Sequence, residues 1–251
     1  MPLAPVDDLS PDAVAGRRRT LLRKALAELV GTALLLATVV GSGVAATRLT
    51  PDDVGAQLLY NSVATGAVLT ALILALGPVS AAFNPVVTLV ERALGALDNR
   101  SAAALVAAQC LGGAGGVVLA NLMFELPAVS TATTVRSGPG MWLAEVVATF
   151  GLVLVVFGVV RTGQTRHVAV AVGAYITAAY WFTSSTSFAN PAVTLARTLS
   201  DTFAGIAPAS VPPFVLAQLA GGAVALLVVR VLHPDPRAAA RAVVHHAEEA
   251  P

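Results

Sequence analysis

Long apolar segments separated by short polar breaks dominate the chain. Because about 20 apolar residues cross a hydrocarbon core about 30 Å thick as a helix, the pattern predicts an all-α membrane protein. Most of the surface of such a protein faces lipid, and backbone polar groups inside the hydrocarbon core have to form their hydrogen bonds within helices. The six predicted transmembrane helices cover residues 21–46, 57–76, 101–124, 142–160, 168–182 and 211–229.

Two further apolar segments, 86–94 and 192–199, are too short to span the membrane. Each follows an Asn-Pro pair, in which Asn suits the N-cap of a helix and Pro suits its first position. Ten helical residues rise about 15 Å, half of the core. The pattern predicts two re-entrant half-helices whose capped ends meet at mid-membrane. We call the three residues at the start of each half-helix a box. The first box is Asn84, Pro85 and Val86, and the second is Asn190, Pro191 and Ala192.

The order span, span, half-helix, span occurs twice. Besides the two Asn-Pro boxes, residues 27–32 resemble 144–149, and residues 108–113 resemble 217–222. An odd number of spans separates the equivalent segments, so the repeats are inverted in the membrane. This predicts a first half-repeat over 21–124 and a second over 141–232, joined by a polar loop over 125–140.

The distribution of basic residues predicts the orientation. With six spans, residues 1–20 and 233–251 form tails on the same side, and the composition of residues 1–20 predicts a disordered segment. Twelve of the 15 Lys and Arg residues lie on that side, and Arg48, Arg136 and Arg197 lie on the other. By the positive-inside rule both tails are cytoplasmic, the loop is extracytoplasmic and the protein lies in the cell membrane.

Composition excludes several classes of function. Of the 251 residues, 56% are hydrophobic and 12% are charged, against about a quarter charged in soluble domains. The net charge of +1 gives no reason to expect nucleic acid, and the single cysteine rules out an intrachain disulfide. The excess of Arg over Lys suggests a bacterial genome rich in G and C. The sequence shows no cofactor motif, metal-ligand cluster or nucleophile–base pair, so we do not expect an enzyme.

Asn84 and Asn190 are the first candidates for chemistry. A capping Asn uses its side-chain oxygen, which leaves its NH₂ group free to donate a hydrogen bond. Two such donors side by side suit an oxygen with lone pairs, as in water, a polyol or another hydroxyl compound. Both half-helices also direct a positive dipole end at the meeting point.

Glu28 and Glu145 lie inside predicted spans, where a carboxylate costs about 2.5–3.5 kcal/mol on insertion scales. One interpretation is a proton relay in a coupled transporter. The other is structural, with each carboxylate accepting hydrogen bonds from the non-helical backbone before a half-helix. Their symmetric placement favours the structural interpretation, which extends to Gln109 and Gln218.

The two boxes and the paired Ala-Glu and Ala-Gln anchors resemble the aquaporin family over residues 21–232. The resemblance implies six helices and two half-helices, a homotetramer with one pore per subunit, and passive passage of water or small uncharged solutes without ions or protons. Val86 departs from the usual Ala and adds bulk beside the meeting point. Thr194 stands where glycerol facilitators tend to have Asp.

The largest departure from the usual aquaporin sequence is the residue directly after the second box. Family members that pass water or glycerol usually carry Arg there, whereas this chain has Val193. Arg197, four residues further on, is not placed equivalently, although it could lean toward the outer mouth. The resemblance implies a selectivity filter of Thr65, Ala178, Ser187 and Val193.

A filter of small and medium uncharged residues predicts a wider, less polar pore than a water-only filter. Together with residues 190–206, it resembles bacterial aquaporins associated with arsenic resistance, which implies passage of arsenous acid and methylated arsenicals. An ordinary water or glycerol facilitator remains an alternative. A proton-coupled transporter using Glu28 or Glu145, and an inert relative used in adhesion or sensing, are alternatives of other classes.

Overall fold

The structure is a computed structural model that describes residues 11–232, and in that range the chain forms α-helices and short 3₁₀ turns without any strand. The 3₁₀ turns are Thr165–His167, Arg197–Leu199 and Pro208–Ser210. The helices are α1 (Pro11–Leu49), α2 (Val54–Leu76), α3 (Pro85–Ala93), α4 (Asn99–Met123), α5 (Pro139–Arg161), α6 (Val168–Phe182), α7 (Pro191–Ala196) and α8 (Val211–Leu232).

The predicted order of spans and half-helices is confirmed. Within residues 11–232, five helices are long and apolar enough to cross a membrane, namely α1, α2, α4, α5 and α8. The sixth predicted span, α6, has 15 residues and rises about 22 Å. A 3₁₀ turn at Thr165–His167 precedes it directly and extends its reach. The half-helices α3 and α7 have 9 and 6 residues and cannot cross a membrane alone.

The main departure from the predicted boundaries lies at the start of the chain. α1 begins at Pro11, so residues 11–20, which we predicted to belong to a disordered tail, are helical instead. The Arg residues of this segment are good helix formers, and the Thr20 hydroxyl donates to the Gly16 carbonyl, 3.1 Å away. The rest of the predicted tails, residues 1–10 and 233–251, lies outside the described residues.

Each half-repeat is held together by one very close helix pair, α1 with α4 and α5 with α8. A Cβ atom on Gly112 would lie 2.2 Å from the Leu29 carbonyl oxygen, and one on Gly221 would lie 2.4 Å from that of Val146. The backbones therefore touch where only glycine fits, as small residues permit between membrane helices. We call the face on which α1 begins and α8 ends the inner face, and the opposite one the outer face.

The segment between α4 and α5 lies over the second half-helix. Ser130 and Ala132 donate backbone hydrogen bonds to the carbonyls of Leu199 and Thr198, at 3.0 and 2.9 Å. The Asp201 carboxylate also accepts from the backbone amide of Thr133 at 2.8 Å. The loop predicted between the half-repeats is therefore an ordered cover on the outer side of α7.

The close packing of α1 on α4 predicts the effect of Gly116→Ala. The added Cβ would lie 2.1 Å from the Ala33 carbonyl oxygen, and overpacking of this kind costs about 1–3 kcal/mol. We expect a clear fall in the thermal unfolding temperature of the purified protein in detergent.

Gly115→Ala is the matched control, because a Cβ at Gly115 meets no atom within 4 Å among the described residues. That variant should be as stable as the parent. Equal stability of both variants would show that the α1–α4 contact is looser than the structure indicates.

Candidate functional site

The two half-helices begin at Asn84 and Asn190, and each asparagine caps its own helix as predicted. The Asn84 side-chain oxygen accepts from the Val86 amide at 2.9 Å, and that of Asn190 accepts from the Ala192 amide at 3.0 Å. Both asparagines have extended backbone, with φ of −152° and −157°. The chain thus enters each helix in the conformation that an N-cap requires.

The tips of the half-helices meet, and the asparagines tie them together reciprocally. The Asn84 amide nitrogen donates to the Ala189 carbonyl at 2.8 Å, and that of Asn190 donates to the Phe83 carbonyl at 2.7 Å. Phe83 and Ala189 both have a φ of +48°, a left-handed conformation that non-glycine residues adopt at a cost. This corrects the expectation that both NH₂ groups are free: one hydrogen of each is engaged, and one remains for the pore.

Glu28 supports the backbone that leads into α3. One oxygen of its carboxylate accepts from the Ser80 hydroxyl at 2.5 Å and the Ala82 amide at 2.8 Å. The other oxygen accepts from the Phe83 amide at 2.7 Å and the Gln109 side chain at 2.8 Å. The buried carboxylate therefore satisfies non-helical backbone that has no helical partner.

Glu145 repeats the arrangement before α7. One oxygen accepts from the Ser185 hydroxyl at 2.6 Å and the Phe188 amide at 2.9 Å. The other accepts from the Ala189 amide at 2.8 Å and the Gln218 side chain at 2.6 Å. This is the geometry that the structural interpretation of the two glutamates predicts.

The two glutamines connect these carboxylates to the half-helices. Besides its bond to the glutamate, the Gln109 nitrogen donates to the Thr88 hydroxyl at 2.9 Å, and the Gln218 nitrogen donates to the Thr194 hydroxyl at 2.8 Å. Thr194 in turn donates to the Asn190 carbonyl at 2.8 Å. Thr194 thus helps to hold the start of α7 in place.

A cavity of about 400 Å³ runs past the meeting point of the half-helices. Its walls combine residues near the inner face with residues of the outer half, so it connects the two sides of the asparagine pair. Several polar members were not predicted as site residues, among them Glu91 and Tyr180. Besides many apolar side chains, the lining includes Lys24, Thr65, Asn84, Glu91, Arg166, Tyr180, Ser187, Asn190, Val193 and Arg197.

The structure corrects one of the four filter positions. Thr65, Ser187 and Val193 line the cavity, whereas Ala178 is exposed and lies away from it. Tyr180 takes its place on α6, buried and with its hydroxyl 3.2 Å from the Thr65 hydroxyl. Two residues along a helix turn through about 200°, so a register error of two residues directs the side chain to the opposite side.

The first-box residue Val86 does not narrow the pore. It is buried outside the cavity lining, and a Cβ at Gly222 would lie 2.3 Å from its Cγ1 atom. The extra methyl groups of Val86 therefore fill space against α8.

Arg197 brings a cation into the outer part of the cavity, one turn beyond Val193. It is buried, its Nε donates to the Ala204 carbonyl, and its Cζ lies 3.5 Å from the centre of the Phe188 ring. Arg136 from the covering loop also stacks on this ring, 5.1 Å from its centre. Burial lowers the pKa of the Arg136 guanidinium, and the nearby Tyr180 and Glu145 oppose that shift.

These features define a class: a multi-pass membrane protein whose inverted repeat places two half-helix tips beside one central cavity. A family model described as Major intrinsic protein matches residues 16–167 and 161–250. The chain belongs to this family of channels and is therefore a passive channel for small solutes.

The chain is similar to Aquaglyceroporin AqpS of Rhizobium meliloti (strain 1021), with 51% identity over 213 residues, which cover 84% of this chain and 91% of that protein. It also resembles the X-ray structure of the aquaglyceroporin from Plasmodium falciparum. That likeness has a TM-score of 0.67 at 20% identity and covers 85% of this chain and 98% of that one. At this identity the second likeness shows the fold alone.

The contacts of Glu145 predict the result of Glu145→Gln. An amide has an NH₂ group in place of one acceptor oxygen, so it would face the Ala189 and Phe188 amides with one acceptor fewer. A hydrogen bond to a charged group contributes about 1.5–3 kcal/mol. We expect a lower unfolding temperature together with reduced water flux in proteoliposomes.

Glu28→Gln should reproduce both effects, because Glu28 holds the equivalent place in the first half-repeat. Glu125→Gln is the control, since Glu125 is exposed between α4 and α5. Normal stability combined with loss of flux in either buried variant would instead indicate a role in transport itself.

Proposed function

We propose that this channel passes small uncharged hydroxyl compounds, above all arsenous acid and methylated arsenicals, together with water. The observation that carries the proposal is Val193, which directly follows the second box and lines the cavity beside Asn190. The neighbouring lining residues Thr65 and Ser187 are small and uncharged. At the position of Val193 the wall of the cavity is therefore less polar than it would be with an arginine there.

The polar groups beside the asparagine pair suit such a solute. Asn84 and Asn190 each keep one amide hydrogen for an oxygen lone pair, and both helix starts are positive. Apolar residues such as Leu35, Val39 and Val156 form much of the remaining wall. An uncharged compound with several oxygens accepts hydrogen bonds from the amides and loses little hydration elsewhere.

An ordinary water or glycerol facilitator is the second candidate, and Arg197 favours it. Arg197 and Tyr180 line the outer part of the cavity with a cation and an aromatic ring. Together they supply donors and bulk even though Val193 does not. The similarity to a protein named an aquaglyceroporin fits both candidates.

A proton-coupled mechanism has less support. Glu28 and Glu145 are 0% exposed, and both oxygens of each carboxylate accept hydrogen bonds from the backbone and side chains that support the half-helices. A relay group has to exchange its proton with the pore, and neither carboxylate lines the cavity. Passive flow through the asparagine pair needs no such group.

We further propose a homotetramer in the cell membrane of a bacterium, with the inner face in the cytoplasm. The family resemblance supports the tetramer, and the excess of basic residues on the inner side supports the orientation. Leu111, Leu216 and Leu227, which are 61–67% exposed, represent the apolar outer surface available to lipid or to neighbouring subunits.

Val193→Arg tests the proposal. A guanidinium at this position would add bulk and charge beside Asn190, where overpacking costs about 1–3 kcal/mol. We expect arsenous acid flux to fall about tenfold, the factor that corresponds to about 1.4 kcal/mol, while water flux falls less. The measurement is the uptake of arsenous acid, glycerol and water by proteoliposomes.

Val193→Ile is the matched control, because it changes the shape of an apolar residue without adding charge. A parent protein that passes water and glycerol but no arsenous acid would contradict the metalloid assignment and support the ordinary facilitator. Uptake driven against its own gradient by a pH difference would contradict passive passage.

A further inference from the structure

Two arginines on the outer side of the pore share one aromatic ring. The Cζ atom of Arg197 lies 3.5 Å from the centre of the Phe188 ring, and that of Arg136 lies 5.1 Å from it. Both distances suit a cation–π contact. Phe188 is itself held in place, because its backbone amide donates to Glu145 at 2.9 Å and its ring packs edge-on against Phe214, 5.4 Å away. The shared ring therefore gives both guanidinium groups a fixed support.

The same two arginines hold successive carbonyl groups of one turn. The Nε of Arg136 donates to the Gly205 carbonyl at 3.0 Å, and one of its terminal nitrogens donates to the Phe203 carbonyl at 3.2 Å. The carbonyl between them belongs to Ala204 and accepts from the Nε of Arg197. Arg136 thus fixes the turn that anchors Arg197, although Arg136 itself does not line the cavity.

Arg197 has donors that no protein group uses. It is 3% exposed and lines the cavity. Among residues 11–232, its Nε is the only one of its nitrogens with a hydrogen-bond acceptor. Its two terminal nitrogens are not fully enclosed by the protein either, so they face the open space of the cavity. Their N–H groups form a planar fork that is well suited to oxygen acceptors.

The position of Arg197 divides the outer half of the pore into two levels. Tyr180 lines the same outer part of the cavity, and its hydroxyl lies 3.2 Å from that of Thr65. Val193, one turn closer to the asparagine pair, presents only an apolar side chain to the cavity. A solute that enters from the outer face therefore meets bulky, donor-rich groups first and the apolar level at Val193 afterwards.

We propose that Arg197 sets the outer width of this pore and selects solutes with accepting oxygens, and that Arg136 is the positioning residue that acts through it. The inference deepens the proposed function, on which it rests. A hydroxyl compound exchanges part of its hydration for the donors of Arg197 before it passes Val193. The covering loop thereby contributes to selectivity without touching the solute.

The test uses the full-length protein with Arg197→Ala in proteoliposomes. Light scattering follows the permeability to water, to glycerol and to the larger polyol xylitol. Because the truncation frees space beside Tyr180, we expect the ratio of xylitol to water permeability to rise about tenfold, which corresponds to about 1.4 kcal/mol. The ratio does not depend on the amount of folded protein. An unchanged ratio together with normal water flux would overturn the proposal.

Arg136→Ala distinguishes positioning from mere support. A purely structural role would reduce the amount of active channel and leave the permeability ratio unchanged, because Arg136 lies outside the cavity lining. We expect the ratio to rise about threefold, and we expect no further rise when Arg136→Ala is added to Arg197→Ala, since coupled residues are not additive. A parental ratio in the single variant, or full additivity in the double variant, would refute the positioning role.

Arg48→Ala is the matched control. Arg48 lies on the outer side too, its Cζ is 5.3 Å from the centre of the Phe124 ring, and it donates to the Phe124 carbonyl at 2.7 Å. Unlike Arg197, it is exposed and lies outside the cavity lining. The variant should keep the parental ratio. A rise as large as that in Arg197→Ala would show that general loosening of the outer side sets the ratio, and would overturn the proposal.

A second measurement covers the case in which Arg197→Ala fails to fold. The parent protein is treated with the arginine-selective reagent butanedione, and the modified residues are located by mass spectrometry. Arg197 should be modified, and a high concentration of glycerol in the cavity should slow its modification. An Arg197 that stays unmodified would overturn the proposal. Arsenous acid flux through the parent is measured in parallel: its absence would refute the proposed solute, whereas the role of Arg197 is judged by the polyol ratio and the modification alone.

Discussion

The structure depends on satisfying non-helical backbone in the middle of a membrane. A half-helix can begin at mid-membrane only if the segment before it finds hydrogen-bond partners inside the protein. Glu28 and Glu145 meet this need from neighbouring full-length helices, each with two oxygens that accept from backbone amides and a hydroxyl. The fold therefore uses two buried carboxylates to hold the half-helices in place.

This constraint also determines which polar groups remain for the solute. The reciprocal bonds of Asn84 and Asn190 to the carbonyls of Ala189 and Phe83 close the contact between the tips and engage one amide hydrogen of each. The remaining hydrogens are few and are fixed in direction by both half-repeats. Selectivity in the middle of the pore thus follows from the same bonds that assemble the two halves, and the solute meets donors that are already oriented.

The sequence was sufficient for the architecture, because half-helix length, Asn-Pro caps and paired Glu and Gln residues each reflect a local physical need. It did not predict which side chains of a helix face the cavity. Ala178 and Tyr180 are two residues apart on one apolar helix, and nothing in their spacing shows which one faces the cavity. Val86 looked like a pore residue because it belongs to the box, whereas the space at Gly222, far away in sequence, receives it. Such pairings depend on tertiary contacts.

In an inverted repeat, equivalent positions lie at opposite ends of the pore. If the two half-repeats had the same sequence, both ends would carry the same charge. The chain instead places Glu91 and Arg197 at the equivalent position of its two half-helices. The half-repeats thus keep identical Asn84 and Asn190 caps, which the meeting point requires, and diverge one turn beyond Val87 and Val193. Neither Glu91 nor Arg197 takes part in the hydrogen bonds that hold the tips together, so the two ends of the cavity differ while the meeting point stays symmetric.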